Sequence, residues 1–315
     1  MAAKPWGSQA KSVEEVFFQN EAISICMLIN RRARTLRVID FRAGPSPVKR
    51  LFVLSFAQRE GLQKIYTLVE RDEVMTWVKL GFAKEGNIPA FYKRSDAFLL
   101  GCSAWSPAPP GDHDELPMQS ETRIVAAKPS TGPVAMTAGH EQMERTILTA
   151  KKWLKDAPGK ALAPAKVALV DEADARRAVA AALRSGRAIS AFEPFGRDVK
   201  RRYFLANVRG GFELYASTEC QACFCNAYLE LLQGPRAEPE RLAAASALGA
   251  ICDTLKAEEV VSCFSLAPSD DVALAAVFLQ NGFRRTGLLV GHLLMGGARK
   301  DAILWSRKLS NPNDD

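Results

Sequence analysis

The 315-residue sequence predicts an α+β fold of two domains, each a mixed, mostly antiparallel sheet flanked by helices. The length is about twice the ~150 residues of a typical domain, so each half is long enough to bury its own core. The composition, 48% hydrophobic and 24% charged, is typical of globular proteins and excludes disordered, collagen-like and coiled-coil chains. Strand-like and helix-like segments also follow one another in the same order in the last part of each half.

The first half alternates apolar, β-branched runs with helical segments bounded by proline and glycine. Its predicted elements are a hairpin at 22–30 and 35–41, a helix at 48–61, a strand at 64–70, a helix at 72–82 and one or two strands within 91–101. The predicted order is therefore β-β-α-β-α-β-β.

A proline-rich linker separates the halves. Residues 103–165 hold eight of the seventeen prolines. Within this stretch, residues 140–156 predict one amphipathic helix, which we expect to dock on a domain. Its apolar face is predicted to hold Met143, Ile147, Leu148 and Leu154. The predicted division of the chain is 1–102, 103–165 and 166–315.

The second half predicts the order β-α-β-β-β-α-β-α-β-β. The predicted helix over 269–283 begins with Ser269 and Asp270 as capping residues. Both last helices of the two halves end in a Gly-Phe pair, at Gly81 and at Gly282, and basic residues follow each pair. Since glycine ends helices routinely, the shared order of elements is the main indication of a diverged duplication.

The segments around these Gly-Phe pairs, residues 81–100 and 281–309, resemble the closing helix-strand-strand of the GNAT superfamily of acyl-CoA-dependent N-acetyltransferases. The first segment is similar to the one in enzymes that acetylate β-lysine and related amines. The chain thus resembles a tandem GNAT protein. Only residues 1–21 precede the first predicted strand, where the family has a strand and two helices, so the resemblance implies a truncated first copy and a complete second copy.

The resemblance implies an acyl-CoA-dependent N-acyltransferase that transfers acetyl or another acyl group directly from coenzyme A to an amine of a small molecule or protein. In the family, two strands splay and a helix N-terminus faces the pyrophosphate. The implied coenzyme-binding residues are Leu232, Gln233, Gly234 and Arg236 in the second half, with Arg42 and Gly44 in the first. The candidate general bases are Glu230 in the second half and Asp40 in the first, and the candidate proton donors are Tyr228, Tyr215 and Tyr92.

Several positions depart from the family pattern. Arg236 stands where the pattern has glycine, and Pro45 and Pro47 remove two N–H donors from the loop of the first half. The family's proton-donating tyrosine corresponds to Trp77 and Phe278. The alternative function is therefore a non-catalytic protein that uses the same fold to bind a ligand or a protein.

Seven cysteines in a long chain predict reduced, mostly buried thiols and no disulfide framework. Cys223 and Cys225 are interpreted as buried strand residues, because no second pair of Cys or His lies at zinc-site spacing. His292, in the closing strands, is interpreted as a core or edge histidine with satisfied hydrogen bonds. No metal is expected.

The net charge of +7 allows an anionic partner. The basic clusters at 31–34 and 200–202 are interpreted as solvated hairpin ends, and nucleic acid is not an expected partner because the aromatic residues are assigned to the cores. No apolar run reaches the ~18 residues that cross a bilayer, and the N-terminus lacks the apolar core of a secretory signal. We expect a cytoplasmic protein without membrane contact, and a protein partner or homodimer is open.

Overall fold

The computed structural model describes residues 13–21, 23–40, 46–105, 133–156, 162–189, 195, 199–208 and 212–310. The described residues form thirteen strands in one continuous sheet, together with six helices. Most neighbouring strands are antiparallel, and two pairs are parallel. The predicted α+β class, with mixed and mostly antiparallel strands flanked by helices, is confirmed.

The N-terminal lobe, residues 13–105, contains six strands and two helices. They are β1 (Val13–Gln19), β2 (Ser24–Asn30), β3 (Thr35–Asp40), α1 (Pro47–Arg59), β4 (Lys64–Val69), α2 (Val74–Lys79), β5 (Ala83–Ile88) and β6 (Ala97–Ser103). The strand β1 was not predicted, and β5 lies before the stretch 91–101 in which the last strands of this half were predicted. Strand β1 is an edge strand paired only with β2, and all seven of its residues are exposed or half-buried, so it lacks the apolar run that marks β2.

A long helix follows, and the C-terminal lobe, residues 162–310, comes after it. The helix is α3 (Pro133–Asp156); the lobe contains β7 (Ala165–Val170), α4 (Glu172–Arg184), β8 (Lys200–Val208), β9 (Glu213–Gln221), β10 (Asn226–Leu231), α5 (Glu238–Ala257), β11 (Ser262–Pro268), α6 (Val272–Gln280), β12 (Arg284–Met295) and β13 (Ala298–Lys308). The N-cap of α6 is Asp271, whose carboxylate accepts from the Leu274 N–H at 2.9 Å, and not Ser269 or Asp270 as predicted.

The two lobes repeat one arrangement of strands. The order is β1-β2-β3-β4-β6-β5 in the first and β8-β9-β10-β11-β13-β12 in the second. The parallel pair is β3 with β4 in the first and β10 with β11 in the second, and a helix connects the two strands of each pair. Trp77 packs edge-on against Phe82 at 4.8 Å, as Phe278 does against Phe283 at 5.2 Å. The pair β7–α4 is present in the C-terminal lobe alone among the described residues.

Helix α3 docks on the C-terminal lobe, mainly against α6. It begins at Pro133, seven residues before the predicted start at His140. Met143, Ile147 and Ala150 are buried in the C-terminal core, and burial of each large side chain contributes roughly 1.5–3 kcal/mol. The prediction for Leu148 was wrong: its side chain is 63% exposed, because it lies one position beyond the buried Ile147 and so points away from α6.

A single pair of glycines joins the sheets of the two lobes. Gly86 of β5 pairs with Gly287 of β12, and each glycine lies four residues after the phenylalanine of its Gly-Phe pair. A methyl group on Gly287 would lie 2.5 Å from the carbonyl oxygen of Glu85 and 2.5 Å from the Gly86 Cα. Only hydrogen fits at this crossing. The predicted division into 1–102, 103–165 and 166–315 stays a prediction.

Helices α1 and α2 pack on one side of the sheet in the N-terminal lobe, as α3, α5 and α6 do in the C-terminal lobe, and the opposite sides of the lobes meet each other. Helix α4 packs on the other side of β8 and β9, against Tyr203 and Tyr215. Buried side chains of α1 and α2 belong to one core cluster, and those of α3, α5 and α6 to another. A third cluster contains residues of both lobes, including Tyr66 and Leu99 from the first and Tyr228, Phe264 and Leu304 from the second. The candidate site lies at this meeting of the lobes.

Candidate functional site

The parallel strands β10 and β11 diverge at their C-terminal ends. Their pairing runs from Asn226–Ser262 to Tyr228–Phe264 and stops there, while β10 continues to Leu231 and β11 to Pro268. In the N-terminal lobe, β3 and β4 pair up to Val38–Thr67 before they end. The backbone groups on the facing edges of β10 and β11 beyond Tyr228 are therefore not paired with each other.

A cavity of about 90 Å³ lies beside this divergence, between the lobes; we call it the inter-lobe cavity. Both lobes contribute to its walls. The turn between β2 and β3 forms the wall on the side of the first lobe, and β10, β11 and β12 form the wall on the side of the second. The residues that line it are Asn30, Arg32, Ala33, Thr35, Tyr66, Ile189, Phe195, Tyr228, Glu230, Leu266, His292, Leu293 and Leu294.

Both predicted catalytic residues, Glu230 and Tyr228, line the inter-lobe cavity. They lie two residues apart on β10, and side chains at this spacing share one face of a strand. Glu230 is buried and forms an ion pair with Arg201. The Ser217 hydroxyl also donates to the Glu230 carboxylate, at 3.1 Å.

The prediction that Arg201 belongs to a solvated basic turn was wrong. Its side chain is 11% exposed and lies between Glu230 and Glu219, with 3.7 Å between its Nη2 and the Glu219 Oε1. Glu219 also accepts from the Phe195 N–H at 2.7 Å. Because β8, β9 and β10 are neighbours, one face of three strands supplies the network, which a local reading of 200–202 does not reveal.

Tyr228 sits within a cluster of aromatic rings. Its ring centroid lies 4.7 Å from that of Phe195 and 5.3 Å from that of Phe264. Burial, followed by the charges of Glu230 and Glu219, raises the pKa of Tyr228 well above its usual value. The phenol therefore keeps its proton at neutral pH, which is the state that a proton donor needs.

His292 is a site residue that sequence reasoning missed, because it was assigned satisfied hydrogen bonds. Its side chain is buried, yet its Nδ1 has no hydrogen-bond partner among the described residues. Its ring lies 4.9 Å from that of Tyr66, which comes from the other lobe. Burial, with smaller contributions from Lys64 and Arg299, lowers the pKa of His292 to about 3. A neutral imidazole therefore faces the cavity.

The predicted coenzyme-binding residues of the second half lie together in the loop between β10 and α5, but several of its backbone N–H groups are already used. The Leu232 N–H donates to the backbone carbonyl of Tyr215 at 3.0 Å, and the Gly234 N–H donates to the backbone carbonyl of Arg187 at 3.2 Å. The Gln233 side chain donates to the carbonyl of Glu213. The Arg236 N–H donates to the Glu240 carboxylate at 2.8 Å. Arg42 and Gly44, the predicted residues of the first half, lie outside the described residues.

A second cavity of about 440 Å³ opens where the N-termini of α5 and α6 meet the C-terminal end of α3; we call it the helix-end cavity. It is lined by Trp153, Asp156, Arg236, Ala237, Glu238, Arg241 and Ala273. Helix α5 has no side-chain N-cap, so its first N–H groups face this region. Arg241 is 4% exposed, and its Nη1 has one hydrogen bond, 3.5 Å to the neutral Gln280 side chain.

The cysteine prediction was partly wrong. Cys223 is exposed and Cys225 is half-buried with a φ of 50°, because residues 222–225 form the turn between β9 and β10 and not part of a strand. Over the described ranges, no group of three or more His, Cys, Asp or Glu side chains could hold a metal ion. In the same ranges, no helix is both long and apolar enough to cross a bilayer.

Solved structures that match about half of the chain include N-acetyltransferases. One is the spermidine N-acetyltransferase of Vibrio cholerae in complex with CoA and spermine, with 13% identity, 47% of this chain and 96% of that chain covered, and a TM-score of 0.39. Another is the ribosomal-protein-S18-alanine N-acetyltransferase of Escherichia coli, which is 18% identical. The match covers 48% of this chain and 97% of that chain, with a TM-score of 0.36. Likenesses of this size do not define an activity for this chain. No profile of a known family and no curated protein sequence matches it.

Proposed function

We propose that the chain is a two-lobed, acyl-CoA-dependent N-acyltransferase of the GNAT type, in which the C-terminal lobe transfers an acetyl or other acyl group to an amine. The observation that carries this proposal is the divergence of β10 and β11 beyond Tyr228–Phe264, directly beside a cavity lined by a carboxylate and a phenol. The gap between two parallel strands offers backbone N–H groups to a thioester carbonyl. The predicted cytoplasmic location belongs to the same proposal.

The roles of the residues follow from where they lie. An amine in the inter-lobe cavity would attack the thioester carbonyl, forming the new C–N bond while the C–S bond breaks. Glu230 would accept the proton that the amine loses, and Tyr228 would protonate the leaving thiolate. Both groups face one cavity from one strand, so transfer would be direct, with no acyl-enzyme.

The N-terminal lobe has a structural role in this proposal. Tyr66 and the turn that follows β2 form a wall of the inter-lobe cavity, opposite Glu230 and Leu266. Arg299 of β13 donates to the Arg34 carbonyl at 2.7 Å and to Gln63 at 3.0 Å, and these bonds hold the turn in place. The first copy would thus close the amine site of the second.

The test is calorimetric titration with acetyl-CoA, followed by a thiol-release assay over polyamines, lysine analogues, aminoglycosides and peptides. Glu230→Gln should lower kcat about 10²- to 10⁴-fold and leave coenzyme affinity unchanged. Glu213→Gln, an exposed glutamate on β9, is the matched control and should not change kcat. No heat with acetyl-CoA, free coenzyme A or longer acyl-CoAs would remove the proposal.

A second candidate, a non-catalytic ligand- or protein-binding protein, is favoured by the loop between β10 and α5. The N–H groups of Gly234 and Arg236 are bonded within the protein. A methyl group on Gly234 would also lie 3.4 Å from the Ile189 Cδ1 and 3.7 Å from the Asp271 carboxylate, which disfavours a phosphate there. Coenzyme binding without thiol release from any amine would support this candidate.

A further inference from the structure

The helix-end cavity has one wall that belongs to neither repeat. Arg236, Ala237, Glu238 and Arg241 come from the start of α5, and Ala273 comes from the start of α6. Trp153 and Asp156 come from α3, the helix between the lobes. Trp153 is 44% exposed and lines this cavity. A flat aromatic side chain thus lines the same cavity as two arginines.

The position of Trp153 is fixed by the docking of α3. Ile147 and Ala150 are buried against the C-terminal core, on the side of α3 that packs on α6. Glu144, more than two turns before Trp153, forms an ion pair with Arg285 of β12. The indole therefore projects from a helix that is already packed on the protein. Ligand binding does not have to pay the entropy cost of ordering that helix.

The two arginines are suited to a phosphate. The Arg236 side chain donates to the carbonyl of Ser185, and Arg241 to the neutral Gln280, so neither guanidinium is paired with a carboxylate among the described residues. Two acidic residues, Asp156 and Glu238, also line the cavity. The charges balance, so net attraction does not select the ligand, and contact with the indole must contribute much of the affinity.

The equivalent position in the N-terminal lobe is built differently. Arg50 is the fourth residue of α1, as Arg241 is of α5, but its Nη1 donates to the carbonyl of Leu80. It also packs on Gly81, where a methyl group would lie 2.6 Å from that Nη1. The Arg50 guanidinium is thus committed to the fold. This asymmetry favours one ligand site per chain.

We infer that Trp153 stacks on the purine base of a nucleotide whose phosphates lie at Arg236 and Arg241, and that each chain binds one such nucleotide. This inference rests on the proposed function, because coenzyme A carries a 3′-phosphorylated adenosine diphosphate. It adds that the helix between the lobes, and not the repeated fold, provides the base-binding surface. Stacking of a base on an aromatic side chain is sequence-independent and is favoured by a fixed, half-exposed ring.

The experiment measures the binding of coenzyme A and of 3′,5′-ADP to the full chain, by calorimetry and by tryptophan fluorescence. Trp153→Ala should weaken both ligands about 5- to 150-fold, and Trp153→Phe should recover most of that loss. Trp105→Ala, at a 68% exposed tryptophan of the N-terminal lobe, is the matched control and should bind as the parent does. The parent should bind one nucleotide per chain. Circular dichroism checks that each variant is folded.

The outcomes separate this inference from the proposed function. Acetyl transfer by the parent with an unchanged KM for acetyl-CoA in Trp153→Ala would overturn the stacking role and leave the transferase in place. Binding of 3′,5′-ADP that depends on Trp153, without transfer to any amine, would support the nucleotide site and refute the transferase. A parent that binds neither ligand, or that binds two nucleotides, would overturn the inference.

Discussion

The glycine pair that joins the lobes allows a quantitative prediction for Gly287→Ala. The added methyl group would lie 2.5 Å from the Glu85 carbonyl oxygen, against 3.4 Å for an ordinary contact, so the backbones must separate by about 3.4 − 2.5 = 0.9 Å. Both neighbours are backbone atoms, which cannot rotate away as a side chain does. Overpacking of this kind costs about 1–3 kcal/mol, and we expect the upper end of that range.

The assay is denaturant unfolding, with calorimetry alongside. A loss of about 3 kcal/mol corresponds to a Tm lower by about 6 °C, at ~2 °C per kcal/mol for a large chain. Gly234→Ala is the matched control for stability, because its methyl group would have only contacts of 3.4 Å or more and its φ is not positive. If Gly287→Ala unfolds within about 0.5 kcal/mol of the parent, the lobes do not meet at this crossing as described.

Three further changes test the site and its support. The pKa of His292 lies near 3, below the ~6.5 of the unfolded chain, so its contribution to stability is complete above pH 6.5 and is lost as the pH falls towards 3. The free energy of unfolding should fall by about 2 kcal/mol between pH 6.5 and 5. In urea unfolding, His292→Gln should reduce this dependence on pH. An equal pH dependence in both proteins would contradict the low pKa of His292. Lys64→Met leaves the buried Glu85 without its ion-pair partner and should lower the free energy of unfolding by about 3–5 kcal/mol. The double variant Lys64→Met with Glu85→Leu should recover most of that stability. A loss below about 1 kcal/mol in the single variant would argue against a buried ion pair. Arg236→Ala should weaken coenzyme A about tenfold or more by calorimetry, and the exposed Arg184→Ala should not; equal effects would show a non-specific loss of charge.

The elements of both lobes were largely predictable because their signals are local. Apolar runs marked β2, β4 and β11, and Pro47 with Gly61 bounded α1. The first strand was missed because an edge strand buries little of either face. The helix between the lobes was found, although its start and the orientation of Leu148 were wrong, because the face it buries depends on where α6 lies.

The site was predictable only in part. Glu230 and Tyr228 were each predicted as catalytic residues, and the structure places both in the inter-lobe cavity. The sequence contains no signal that Arg201 from β8 reaches Glu230, since 29 positions separate them and strand pairing brings them together. His292 was read as a satisfied histidine, because the missing partner of its Nδ1 is a property of the folded surroundings.

Local chemistry in the chain thus settles the class of fold, the order of its elements and the repetition of that order, since propensity, periodicity and turn residues act over a few positions. The sequence shows that Gly86 and Gly287 occupy equivalent positions in the two halves, but it does not show that they pair with each other. Only the tertiary structure joins the two sheets into one. It also places residues of the first lobe in the lining of the inter-lobe cavity, and Trp153 and Arg241 in the lining of the helix-end cavity. Those contacts join residues far apart in the chain, and their geometry depends on how whole sheets and helices pack.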